Sequence, residues 1–159
     1  IFGTADRLTD AGQTLDLWEE VKRKEKHQQT YTDAMNDVAR SLPALIYAEK
    51  VQSRAKRSGF DWPEVSGALD KVREETAELE QVMDQKDRAE EELGDLLFAE
   101  VNVARRLELD PEQALMRATK KFMKRFALVE QAAGDKLRTM SLSEMTALWE
   151  QAKQQTAGS

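Results

Sequence analysis

Apolar residues recur every three to four positions along most of the chain, the spacing of one face of an α-helix. Near the start, Leu15, Leu17, Trp18 and Val21 with charges between them predict a short amphipathic helix from about Thr14 to Lys26, on an arm containing Gly3 and Gly12. His27 to Asp37, with Gln28, Gln29, Thr30 and Thr32, has too little apolar surface to fold alone and is expected to be a linker. The compact part is expected to begin near Ser41 and to hold about four helices. The first runs from about Leu42 to Ser58, helped by Pro43 near its start and stopped by Gly59. A turn at Phe60-Asp61-Trp62-Pro63 follows, then a helix from Pro63 to about Asp84 with Val65, Ala68, Leu69, Val72, Thr76, Leu79, Val82 and Met83 on one face. The next covers about Ala89 to Leu107. Asp110-Pro111 opens a helix striped by Leu115, Ala118, Phe122, Phe126 and Val129 and ending near Gly134, and Ser141-x-x-Glu144 is a capping-box signature for a last helix with Leu142, Met145, Leu148 and Trp149.

Composition supports this pattern. The 159 residues hold seven glycines and three prolines, so that 13–42, 68–93, 95–110 and 112–133 are free of both, which favours helices over strands. The expected fold is all-α, an antiparallel helical bundle of about four helices plus the N-terminal helical arm. Cysteine is absent and there is one histidine, His27, which excludes disulfides, thiol nucleophiles and multi-histidine zinc sites and leaves oxygen ligands for any metal. A net charge of -6 disfavours a nucleic-acid partner. No apolar run approaches the ~20 residues of a bilayer span and no signal-peptide pattern opens the chain, so the expectation is a cytoplasmic protein without a membrane partner.

One segment is echoed: Leu17-Trp18-Glu19-Glu20-Val21-Lys22 resembles Leu148-Trp149-Glu150-Gln151-Ala152-Lys153, with Trp and Lys four apart in both. With Ile1 at the start instead of methionine, this suggests a piece of a longer protein: residues 1–26 as the tail of a preceding copy of the domain, 27–40 as linker and 41–159 as the domain itself.

The second compact helix carries carboxylates where apolar residues belong. Advancing about 100° per residue from Val72, Leu79 lies about 20° away, Ala68 about 40° and Glu75 about 60° on the same side, with Glu78 one turn on. In the following helix Leu96, Val103 and Leu107 set the apolar direction, Glu92 lies about 40° and Asp95 about 100° to one side, and Asn102 is two turns beyond Asp95. Antiparallel packing, which the short connection Gln85 to Arg88 requires, brings four carboxylates together; such a cluster repels itself unless a divalent cation is present. Magnesium fits hard oxygen ligands and points to a phosphate-bearing substrate. Arg117, Lys120, Lys121, Lys124 and Arg125 form a run with no acidic member that can hold phosphates, and Trp149 with Lys153 offers an aromatic face and a further cation. The plainer readings are solvated charges for the glutamate pairs and for Lys121 and Arg125, and a core position for Trp149. Glu100 also falls in an apolar direction, with no role.

Glu74-Glu75-Thr76-Ala77-Glu78 followed by Glu92-Leu93-Gly94-Asp95 resembles the EExxE…ExxD signature of the MazG-type all-α nucleoside triphosphate pyrophosphohydrolases. Leu42-Pro43-Ala44-Leu45, Gly59-Phe60-Asp61-Trp62, Leu96-Leu97-Phe98-Ala99 and Lys121-Phe122 with Arg125-Phe126 add to the resemblance, which covers roughly Ser41 to Lys153. It is closest to the catalytic C-terminal domain of the two that such proteins often carry. The resemblance implies hydrolysis of a nucleoside triphosphate to monophosphate and pyrophosphate in an intertwined homodimer, with magnesium as the ion and manganese as its substitute. By position, Glu75, Glu78, Glu92 and Asp95 would bind metal, and Arg88, Asn102, Lys121, Arg125, Trp149 and Lys153 would contact nucleotide. Two departures stand out: the spacer between the acidic motifs is near the short end of the family range, and Arg88 stands where relatives often have lysine.

The expected mechanism positions the triphosphate and neutralises its charge, with Glu74 or Glu75 as candidate base and no covalent intermediate. Broad, housecleaning specificity is favoured. The alternatives are a non-catalytic helical module that binds nucleotide or a partner, and an enzyme restricted to dUTP or dCTP.

Overall fold

A computed structural model describes residues 4–25 and 30–158; His27 and the first residues of the expected linker lie outside them. The described residues form seven α-helices and one 3₁₀ segment and no strand, an all-α fold as the sequence pattern predicts. No helix among them is long and apolar enough to cross a membrane.

Helix α1 spans Thr4–Glu25, beginning earlier than expected and running through Gly12. Leu15, Leu17, Trp18 and Val21 are all exposed on it, and Lys22 Nζ lies 4.7 Å from the Trp18 ring centroid. The polar stretch read as linker is partly helical: α2 occupies Tyr31–Asn36. Its start is a capping box, with the Asp33 amide donating to Thr30 Oγ1 at 3.1 Å and the Thr30 amide donating to Asp33 Oδ2 at 2.9 Å. Ala34 and Val38 are buried there, and α2 packs on α3; tertiary contact thus supplies the apolar burial that the segment lacks in isolation.

Helix α3 (Ala44–Lys56) begins after Pro43, and the chain turns at Gly59, whose φ of 87° is a left-handed conformation that glycine adopts without strain. Helices α4 (Val65–Gln81) and α5 (Lys86–Arg106) are joined by four residues and pack closely along each other, with α3 against α5. Small residues make that approach possible: Ala68 is fully buried on α4 and Ala99 is buried on α5, beside Val82 and Val101. Glu100, in spite of its direction on the helical wheel, is exposed.

Helix α6 (Pro111–Ala133) has proline at its first position, where the missing N–H costs nothing. A 3₁₀ segment follows at Gly134–Thr139, with Gly134 at φ 54°, and then α7 (Leu142–Gln155). The expected capping box opens α7: the Glu144 amide donates to Ser141 Oγ at 3.2 Å and the Ser141 amide to Glu144 Oε2 at 2.7 Å. These bonds hold the Glu144 carboxyl below its ordinary pKa. The chain divides into two compact units, Ile1–Pro111 and Glu112–Ser159, so α6 and α7 form a unit apart from the α2–α5 bundle.

Candidate functional site

Within the first unit, α4 and α5 bring carboxylates from both motifs together. One oxygen each from Glu75, Glu92 and Asp95 lie within 4.8 Å of one another. Glu75 is 4% exposed, as its place on the apolar stripe predicts. Asp95 lies one turn from Glu92 and is exposed. Glu78 is also exposed; it stands beside the group of three without joining it. Partial loss of water, followed by the charges of Glu78, Glu75 and Asp95, pushes the Glu92 carboxyl above its ordinary pKa. Oxygens opposite each other across a magnesium ion are about 4.2 Å apart, and those across calcium slightly more, so the spacing suits a hard divalent cation. The group can hold a metal ion, with room left for waters or phosphate oxygens.

Lys71 belongs to this site. Its ammonium pairs with Glu75 and lies 3.0 Å from Glu74 Oε1, and those two carboxylates raise its pKa well above the ordinary lysine value. Glu74, a candidate base, is exposed and outside the group of three. Arg88 is exposed one turn before Glu92 and donates to Gln85 Oε1 at 3.1 Å.

Glu75 and Asp95 open onto a pocket of about 640 Å³, whose wall also includes Lys71 at the acidic end and Val51, Ala55, Phe60, Trp62 and Phe98 as apolar surface. That volume lies within the usual range for small-molecule sites. Trp62 rests on α4 where Gly67 has no side chain: a Cβ there would come within 3.1 Å of the indole.

Four further polar side chains line the same cavity: Asn102, Arg105, Asp61 and Gln52. Asn102, expected from sequence to approach nucleotide, is one of them; its Oδ1 accepts from Arg105 Nη2 at 2.6 Å. Arg105 is gripped by Asp61, as Nη1 donates to Oδ2 at 3.1 Å and Nη2 makes a shorter bond to Oδ1. The Trp62 amide adds a bond to Asp61 at 2.9 Å, and Arg106 lies 3.5 Å from its other oxygen. Arg105 above all holds the Asp61 carboxyl below the ordinary carboxylate range, against the opposing effect of burial. This nearly buried pair joins the 59–63 turn to the end of α5. Gln52 is the fourth: it is 7% exposed, Nε2 donates to the Phe98 carbonyl at 2.8 Å, and Oε1 is buried with no hydrogen-bond partner among the described residues. Leaving such an acceptor unpaired costs about 1–3 kcal/mol.

Neither Lys71 nor Gln52 nor the Asp61–Arg105 pair emerged from sequence reasoning. Lys71 had a signal, since it stands three and four residues before Glu74 and Glu75 on one helix. The others depend on partners 44 and 46 residues away, which helical periodicity does not reveal.

The remaining expected residues lie in the second unit. There the Phe122 and Trp149 rings are 5.3 Å apart between α6 and α7, Phe122 stacks on Phe126, and Arg125 Nε donates to Thr156 Oγ1 at 2.9 Å. Lys153 pairs with Glu150 at 2.6 Å, and Lys121 is exposed. Trp149 is half-buried, with its ring against Phe122.

Residues 64–129 match the MazG nucleotide pyrophosphohydrolase domain. The chain is 41% identical over 154 residues to a nucleoside triphosphate pyrophosphohydrolase of Escherichia coli K12, covering 92% of this chain and 58% of that protein. It is 37% identical over 145 residues to the nucleoside triphosphate pyrophosphohydrolase/pyrophosphatase MazG of Thermotoga maritima, covering 89% and 56%. A protein of Bacillus subtilis, YabN, is 38% identical over 154 residues, of which this chain spans 31%. The chain thus spans somewhat over half the length of the E. coli and Thermotoga relatives. With both acidic motifs on adjoining helices and these matches across them, the chain belongs to the MazG family of nucleotide pyrophosphohydrolase domains.

Proposed function

We propose that this chain hydrolyses nucleoside triphosphates to the monophosphate and pyrophosphate with magnesium, or manganese in its place. The observation that carries the proposal is the convergence of Glu75, Glu92 and Asp95 within 4.8 Å, with Glu75 and Asp95 in the wall of a pocket sized for a small molecule. The names of the E. coli and Thermotoga relatives support it. Glu75, Glu92 and Asp95 hold the ion, and Glu78 completes the set from the next turn of α4. When bound, magnesium supplies charge neutralisation to the polyphosphate and acidifies the attacking water.

The chain's own groups do the remaining work. Lys71, tethered to Glu74 and Glu75, sets a compact positive charge beside the carboxylates, where it stabilises charge developing on phosphate oxygens. Glu74 or Glu75 accepts the proton that water releases as it adds across the α–β anhydride. Arg88, one turn from Glu92, contacts the polyphosphate, and Asn102 the nucleoside. Phe60, Trp62 and Phe98 give the base an apolar surface and exclude water from it. The cavity volume admits both purines and pyrimidines, which supports broad specificity over a dUTP- or dCTP-restricted enzyme. Lys121, Arg125, Trp149 and Lys153 are a proposed nucleotide-contacting set carried by α6 and α7.

A homodimer is the proposed assembly, supported by exposed apolar residues on several helices: Leu69 on α4, Leu93 and Leu97 on α5, and Leu115, Phe122, Met123 and Phe126 on α6. The exposed stripe of α1, with its echo in α7, supports reading residues 1–26 as the tail of a preceding MazG-like copy.

The test is incubation with a panel of nucleoside triphosphates and magnesium. Pyrophosphate release, lost in Glu78→Ala and Asp95→Ala variants that stay helical, is the expected result. Orthophosphate instead of pyrophosphate, or binding without product, would overturn the proposal, and the latter would favour a regulatory module. Weaker binding of nucleotide by Lys121→Ala and Arg125→Ala checks the second unit's contribution separately.

A further inference from the structure

We infer that Gln52 is a specificity-determining residue, accepting at Oε1 a hydrogen bond from an N–H of the nucleobase. This rests on the pyrophosphohydrolase reading above. The amide of Gln52 has a chemically determined orientation. The Phe98 carbonyl can only accept, so the nitrogen of Gln52 must face it, and the bond at 2.8 Å leaves the oxygen as the free end. That oxygen has no hydrogen-bond partner among the described residues, although the residue is 7% exposed and part of the pocket wall. A buried acceptor without a donor calls for an explanation, and a ligand that brings the donor supplies one.

The surroundings select the kind of ligand. Phe98, whose carbonyl holds Gln52, lies one turn from Asp95, and Asn102 lies one turn beyond Phe98 on the same helix. A nucleotide with its phosphates at the carboxylates therefore places its base beside Gln52 and Asn102. Arg105 engages the oxygen of Asn102, which leaves the amide nitrogen as its donor. The wall thus offers an acceptor in Gln52 and a donor in Asn102, the complement of the adjoining N–H and lone pair on the pairing edge of a base. Val51, Ala55 and Phe98 line the same cavity.

The experiment compares each nucleotide with an analogue lacking the N–H: ATP with purine riboside triphosphate, CTP with the pyrimidin-2-one riboside triphosphate, and UTP with its N3-methyl derivative. Pyrophosphate release is measured for the wild type and for Gln52→Met, with Gln52→Leu as the second variant should methionine crowd the site. The expected wild-type result is a fall in kcat/KM of about 10-fold on loss of the N–H in at least one pair, carried mostly by KM. In either variant that ratio collapses towards one. A ratio unchanged in a folded variant, or no loss in any pair for the wild type, overturns the role of Gln52 while leaving the pyrophosphohydrolase reading intact. Absence of pyrophosphate from every nucleotide with the wild type overturns both.

Discussion

The two ends of the pocket are built by opposite means. At the acidic end every group comes from i, i+3 and i, i+4 spacings on two adjoining helices: Lys71, Glu74, Glu75 and Glu78 on α4, Glu92 and Asp95 on α5. At the other end the polar groups are held by partners far away in the chain, Gln52 by Phe98 and Arg105 by Asp61. The acidic end gathers like charges whose repulsion a bound cation would relieve; the far end is already tied down by the charge-assisted Asp61–Arg105 pair. On the proposed function, turnover would depend on one end, and stability and base selectivity on the other.

That contrast can be broken most severely at the acidic end. Asp95→Ala and Glu75→Ala are expected to lower pyrophosphate release by about 1,000-fold or more while thermal unfolding changes little for the exposed Asp95. A large loss of stability with retained turnover would reverse the assignment of the two ends.

Next in size is Asp61→Ala, which leaves Arg105 nearly buried without its counter-charge. Unfolding in urea should show a loss of about 3 kcal/mol. The pH dependence follows from the lowered carboxyl pKa. The stabilisation from Asp61 is fully present above the unfolded value of about 3.9 and fades as pH falls through the lower folded value. Wild type and Asp61→Ala should accordingly converge in stability as urea titrations are taken to lower pH, and a gap that widens on acidification would contradict the pairing.

A smaller effect is expected away from both ends. Ser141→Ala removes the α7 cap and should cost about 1 kcal/mol, read from thermal unfolding, with base selectivity unchanged. Gly67→Ala sharpens the comparison at the lowest energy. Alanine favours the helix by up to about 1 kcal/mol, and half-exposed Trp62 can give way by a few tenths of an ångström, so stability should rise slightly while KM for nucleotide changes.

The difference between the ends also explains what could be read from the chain alone. Glu75 was legible because a carboxylate on an apolar stripe is a local contradiction, and Pro111 and the Ser141–Glu144 box were legible because caps are local chemistry. Helix limits shifted by a few residues: α4 begins at Val65 and α5 at Lys86. Helix α2 was missed because its box uses aspartate at Asp33 and its apolar partners lie on α3. Gln52 resembles any polar residue on a helix until Phe98 is placed beside it.

Helix α5 runs unbroken from Lys86 to Arg106 and bears Glu92, Asp95, the Phe98 carbonyl and Asn102. At 1.5 Å per residue, Asp95 and Asn102 stand about 10 Å apart along a rigid rod, on the same side of it. For the proposed nucleotide substrate that rod would be a gauge of length: the interval from Asp95 to Asn102 cannot be adjusted by moving a loop. One residue inserted between them would turn the far mark by about 100° and put the two readings on different faces.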